Sequence, residues 1–248
     1  MDSYILCATP RTGSTLLCDL LSATGVAGAP DSIFMGNPDP FWQRAWGLPE
    51  TGSLQDPAHC AAYLRAGVRA GTAGTGRFGL RLMYRDLDAL QAMIDRVHPG
   101  LPTDRARFEA AFGRVLYVHL TRDDRLAQAV SMVKAEQTGL WHIGTDGREI
   151  ERLAPPQAPV YDRARIAAKL AELTAADAIW QRWFTAEGID PLRLSYEALA
   201  ADPAAAVSCI CHAQEVEAPE PAPPQPGVAR LSDAVNRDWM ARFRAEGG

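Results

Sequence analysis

Lysine is almost missing from this 248-residue chain. It occurs only at Lys134 and Lys169, so arginine supplies nearly all of the 25 basic side chains. Arginine grips oxyanions through a rigid bidentate fork, although a GC-rich genome explains the bias equally well, together with the abundant Ala and Gly. Basic residues are outnumbered by 30 Asp and Glu, and the formal net charge of −5 argues against wholesale nucleic-acid binding. The five cysteines (Cys7, Cys18, Cys60, Cys209 and Cys211) form no regular framework. An odd count of this kind fits reduced thiols. Cys209 and Cys211 are too close together, and lack a second pair, for a structural zinc site. No run approaches the ~18 apolar residues of a membrane span. The opening MDSYILCATP has neither the basic start nor the long apolar core of a secretory signal. These absences make the cytoplasm the expected compartment.

What is present is an ordinary globular composition, 47% hydrophobic and 22% charged, long enough for a single domain over residues 1–248. The most informative stretch is YILCATPRTGST at 4–15, an apolar run ending in a small-residue turn, with the helical pattern Leu16, Leu17, Leu20, Leu21 behind it. A strand, a small-residue turn and a helix N-terminus aim several backbone N–H groups at one point, a geometry that binds phosphate or sulfate. The Walker pattern does not fit. Its first Gly position is Ala8 and its Lys position is Ser14, leaving Gly13 and Thr15 as matches. No apolar strand ends in an Asp that would help hold Mg²⁺; the best candidate, 115–120, runs into Thr121-Arg122. The cation of the loop is Arg11, so its anion is expected to be balanced by arginine without a metal. The plainer alternative is a strand–turn–helix connection whose Ser and Thr serve as caps; Arg11, which opposes the helix dipole, speaks against it.

Strands are predicted at 4–9, 79–84, 115–120 and 192–195. Helices are predicted at 14–24, 87–97, 123–138, 163–187 and 233–244. Residues 25–40 read as loop, 146–162, with Pro155, Pro156 and Pro159, as a lid reaching back to about 142, and 213–229 as a Pro-rich connector. Alternating strands and helices imply an α/β fold: a P-loop-NTPase-like parallel sheet with helices on both faces. Ligands of such sheets sit beyond the carboxyl ends of the strands, where Arg11, Arg85, Arg122 and Tyr196 fall. The Trp180, Trp183, Phe184 cluster reads as core.

PRTGSTLL, ATGVAG at 23–28, the run from Thr121-Arg122 to Gln128-Ala129-Val130-Ser131, Gln137-Thr138 followed by Trp141, the tryptophan cluster, Tyr196 and RDWMARF in the last helix together resemble bacterial sulfotransferases. The family is typified by trehalose 2-sulfotransferase, and its members are often labelled lipopolysaccharide or glycolipid sulfotransferases. The resemblance covers nearly the whole chain. It implies the donor 3′-phosphoadenosine 5′-phosphosulfate (PAPS), with PAP as product, no metal, a hydroxyl acceptor on a small molecule or glycan, and a homodimer. It also implies that Arg11, Thr12, Gly13, Ser14 and Thr15 cradle the phosphosulfate, with Arg11 and Ser14 acting in catalysis. Arg122 and Ser131 would hold the 3′-phosphate, Tyr196 would lie near the nucleotide, and Arg230 would close over it. Sulfuryl transfer resembles phosphoryl transfer: charge grows on the oxygen bridging to the leaving phosphate, and catalysis is mostly positioning and charge stabilisation.

The sequence departs from the family at one point. Where the family carries a glutamate taken as the general base, this chain has Ser32 in Ala29-Pro30-Asp31-Ser32-Ile33-Phe34. Serine does not accept a proton usefully near neutral pH. Asp31 serves as the base after a one-residue shift, or His142 does, or the acceptor needs less help. Ser32, Phe34, Arg81 (the family often has Lys there), Trp141 and His142 are the expected acceptor-side residues. The rival functions are a P-loop kinase or nucleotide hydrolase, and a donor-binding protein without a base.

Overall fold

A computed structural model describes the chain except residues 36–38, 51, 145, 219–232 and 248. Four parallel strands form the main sheet in the order β2-β1-β3-β6: β1 is Ser3–Ala8, β2 Phe78–Met83, β3 Val115–Thr121 and β6 Leu192–Ser195. Each lies within one residue of its predicted span. All six residues of β1 are buried, as expected of a central strand covered on both faces.

Alternation along the strands splits the core into two layers. Ile5, Cys7, Leu80, Leu82 and Tyr117 face one side. They pack there against α3 (Pro57–Thr72), α4 (Leu87–Val97), α5 (Asp104–Phe112) and the long α7 (Arg163–Ala186). Tyr4, Leu6, Ala8, Val118 and Leu120 face the other, against α1 (Ser14–Ala23), α8 (Tyr196–Ala201) and α9 (Pro203–Ala213). A third cluster joins α6 (Arg125–Thr138), α7 and α10 (Ala234–Ala245) through Val130, Val133, Ile166, Trp239 and Phe243. A short α2 spans Pro40–Ala45. Helix starts follow local chemistry: Asp56, Thr103, Asp124, Asp162, Ser195, Asp202 and Asp233 each accept a first-turn backbone N–H.

The reading of 146–162 as loop needs correction. Within 142–162 the chain forms an antiparallel hairpin, β4 (Leu140–Ile143) with β5 (Glu149–Arg152), pairing His142 with Glu151. Two four-residue strands leave too short an alternating pattern to stand out beside three prolines. The beginning of the connector also differs: Ala213 ends α9, and 219–229 lie outside the described residues, as does Arg230. Helices α3 and α5 go beyond the sequence-derived map. The paired ends Ala8, Met83, Leu120 and Thr121, and Ser195 bring the turns after all four strands to one edge.

Candidate active site

The turn after β1 is built from inside the protein. Thr9 and Thr12 are fully buried, and Thr12 Oγ1 donates to the Thr9 carbonyl at 2.8 Å. Trp180, fully buried on α7, donates Nε1 to the Ala8 carbonyl at 3.1 Å. Gln128 of α6, also fully buried, gives Nε2 to Thr9 Oγ1 at 2.9 Å and to the Pro10 carbonyl at 2.7 Å. Arg11 then takes a left-handed conformation, φ 66°, costing on the order of 1 kcal/mol for a residue with a Cβ. Its carbonyl accepts Arg122 Nη1 at 3.1 Å, which helps hold that conformation.

Gly13, φ 78°, leads into α1, where Ser14 opens the helix and is buried. Glycine is required twice here: the positive φ suits it, and a Cβ would meet Tyr196 Cδ2 at 2.7 Å. α1 has no side-chain cap and no first-turn acid, so its end offers N–H groups and positive potential.

Arg11 donates Nε to Ser131 Oγ at 3.0 Å and Nη1 to the Trp141 carbonyl at 2.7 Å. Arg122 stacks over the Tyr196 ring, 4.4 Å from its centroid. Arg81, mid-strand in β2, donates Nη1 to Thr15 Oγ1 at 2.7 Å, Nε to Ser32 Oγ at 2.8 Å and Nη2 to Asp31 Oδ1 at 3.2 Å. Asp31 is held in place by a one-residue bridge to Leu80, with the Arg81 N–H on the Asp31 carbonyl. His142 Nε2 lies 3.3 Å from both Thr15 Oγ1 and Glu151 Oε2. Burial and the charge of Arg122 lower Arg11 to about 10, which leaves it charged at neutral pH. Burial, then Arg11 and Arg81, push His142 down to about 4, so its imidazole is neutral.

A cavity of about 330 Å³ opens beside Thr15, lined by Asp19, Ser22, Asp31, Trp42 and Arg81 among others. Burial raises Asp19, against the pull of Arg81. Among the described residues no group of three His, Cys, Asp or Glu side chains is placed to hold a metal ion.

The structure thus gathers Arg11 to Thr15, Ser32, Arg81, Arg122, Ser131, His142 and Tyr196 at one edge. It moves three expected residues elsewhere. Arg85 sits exposed on a 3-10 turn over the Tyr84 ring, and Arg81 supplies the third guanidinium. Phe34 is 3% exposed and stacks on Phe112, so its ring belongs to the core. The Trp141 ring packs against the third cluster, and its carbonyl accepts Arg11 from the loop. Sequence reasoning missed Gln128, Glu151, Asp19 and Trp42. The first lies one turn before Ser131, and Asp19 one turn after Thr15, so helical spacing was an available signal.

The chain is similar to proteins of one kind. The model of the family described as Stf0 sulphotransferase matches residues 3–246. Trehalose 2-sulfotransferase of Mycobacterium tuberculosis is 31% identical, over 98% of this chain and 94% of that protein. The protein of that name from Mycolicibacterium smegmatis is 27% identical, over 98% and 95%. A sulfotransferase crystal structure from Alicyclobacillus acidocaldarius matches 98% of this chain and 91% of its own, at 14% identity and TM-score 0.48. With the family model spanning nearly its whole length, and a relative 31% identical over 98% of it, this chain belongs to the Stf0 sulfotransferase family.

Proposed function

We propose that this sulfotransferase takes its sulfuryl group from PAPS and passes it to a hydroxyl of a carbohydrate, glycolipid or small metabolite bound in the 330 Å³ cavity. Family membership makes the chain an enzyme that transfers sulfate, which sets aside the kinase and the non-catalytic binding readings. One observation carries the donor proposal. Three guanidiniums, Arg11, Arg81 and Arg122, meet at a loop whose helix end has no acid and no side-chain cap. That donor set fits a phosphosulfate: N–H groups and hydroxyls of 12–15 for its oxygens, arginines for its charge.

Arg11 and the first turn of α1 stabilise the charge that grows on the leaving oxygen. In this reading Ser131 and Arg122, both hydrogen-bonded to Arg11, hold the 3′-phosphate, and Tyr196 flanks the nucleotide. Asp31 and Arg81 line the cavity and orient the acceptor, with the Trp42 ring as an apolar wall. The curated relatives are named for trehalose, which makes trehalose the first acceptor to try. The five free cysteines are the ground for placing the enzyme in the cytoplasm.

Calorimetric titration with PAP, beside AMP and ATP, tests the donor. Binding that depends on the 3′-phosphate and weakens in Arg122→Ala is expected; equal affinity for PAP and AMP would overturn the donor assignment. Labelled PAPS with trehalose and a panel of hydroxyl compounds then tests the acceptor.

A further inference from the structure

Two side chains with proton-accepting atoms stand near the cavity: Asp31 lines it, and His142 touches Thr15, which lines it too. Arg81 gives Nη1 to Thr15 and Nη2 to Asp31, so Asp31 lies across that guanidinium from the loop. Its Oδ1 also accepts the Ser32 N–H at 2.7 Å. His142 instead touches the loop directly, through Nε2 and Thr15 Oγ1. Thr15 Oγ1 already accepts from Arg81, so its own proton is free to point at Nε2. With the ring proton on Nδ1, the tautomer this inference requires, Nε2 carries a lone pair.

Glu151 completes the arrangement. Its carboxylate is 3.3 Å from the same Nε2, brought there by the β4–β5 pairing. A carboxylate beside a lone pair gains nothing, whereas beside a protonated nitrogen it forms an ion pair. The contact therefore favours the state in which Nε2 has gained a proton, and differential stabilisation of that kind accelerates a reaction.

We infer that His142, backed by Glu151, is the proton acceptor of the transfer, which makes the β4–β5 hairpin part of the catalytic machinery. This rests on the sulfuryl-transfer reading above. His142 Nε2 takes the acceptor's hydroxyl proton as the acceptor oxygen bonds to sulfur. The sulfur–oxygen bond to the donor's 5′-phosphate breaks, and its electron pair stays on the phosphate oxygen. The proton is left between Nε2 and Glu151. Asp31 has the separate task of orienting the acceptor.

The groups facing the imidazole are Arg11 from the loop, Arg81 from β2 and Glu151 from β5, with Arg122 behind Arg11 and Asp31 behind Arg81. Arg11 and Arg81 both depress its basicity. An anionic donor held by those arginines offsets their charge, so the base strengthens when a donor is in place.

Histidine-selective NMR over a pH series, on the free protein and with saturating PAP, reads this directly. His142 is expected to titrate near 4 when free, to move up by about one unit or more with PAP, and to lose part of that gain in Glu151→Gln. In parallel, His142→Gln should cut turnover of labelled PAPS with trehalose by roughly 10²–10⁴-fold while PAP affinity stays within about threefold. A His142 titration unmoved by PAP, or wild-type turnover in His142→Gln beside a dead Asp31→Asn, would overturn the assignment and return the role to Asp31. Wild-type protein that binds PAP no better than AMP would fail the donor reading itself and take this inference with it.

Discussion

Replacing Gln128 by methionine tests whether the anion loop is shaped by a clamp from α6. The side chain is fully buried, with its amide nitrogen on Thr9 Oγ1 and the Pro10 carbonyl and its oxygen accepting Arg125 Nη1 at 3.2 Å. Methionine nearly matches glutamine in volume, so the packing cost stays below roughly 1.5 kcal/mol. The larger cost is polar. The Pro10 carbonyl and the Thr9 hydroxyl lose their shared donor inside the protein, at about 1–3 kcal/mol per orphaned group. With partial relaxation the sum is about 2–4 kcal/mol, or roughly 5–15 °C in Tm for a chain of this size. The damage is local to the turn that holds Arg11 at positive φ, so PAP affinity should fall with stability. Urea unfolding gives the first quantity and calorimetry the second. Thr9→Val removes the partner hydroxyl, and the double variant should fall short of additivity by at least about 0.5 kcal/mol. Destabilisation under about 0.5 kcal/mol, with PAP affinity intact, would refute the clamp.

Arg11→Ala should cost orders of magnitude in turnover while the circular dichroism spectrum and cooperative unfolding persist; unchanged turnover would remove Arg11 from the mechanism. Gly13→Ala should destabilise the fold by at least about 1–2 kcal/mol through its positive φ, with more from the clash on Tyr196, and should weaken PAP binding; a neutral result by denaturation would show that the turn relaxes freely. Stability should rise with pH in two windows. His142 is lowered from 6.5 to about 4 in the folded protein, so the unfolded chain binds the proton first, and stability falls as pH drops from 6.5 toward 4. Burial would raise Asp177, but the hydrogen bond from His119 and the Arg125 charge outweigh it and hold it low. Its contribution is present above 3.8 and is lost as pH falls through the folded value. Unfolding midpoints measured across pH should lose the first slope in His142→Gln and the second in Asp177→Asn.

The sequence by itself determined the parts of this protein that depend on neighbours a few residues away. The apolar run before Pro10, the glycine at 13 and the leucines after it specify a strand, a turn and a helix through local sterics and burial. The strand at 192–195 and the long helix ending at the tryptophans follow from the same rules. The turn after β1 and its arginine were legible for that reason, and the family resemblance rested on the same short motifs.

The tertiary structure alone decided who meets whom. Arg11 reaches Ser131 and Trp141 across 120 and 130 residues, Gln128 reaches Thr9 across 119, and Thr15 meets His142 across 127. The sheet register brings those partners to one edge, and no local pattern encodes a register between strands so far apart. That is why Arg81 at mid-strand joins the site while Arg85, on the 3-10 turn beyond the strand, does not. It is also why Glu151 became visible only once β4 and β5 were paired. A hydrophobic period says that a strand is buried; which side chains it then carries to the same square nanometre is settled by packing and pairing over the whole chain.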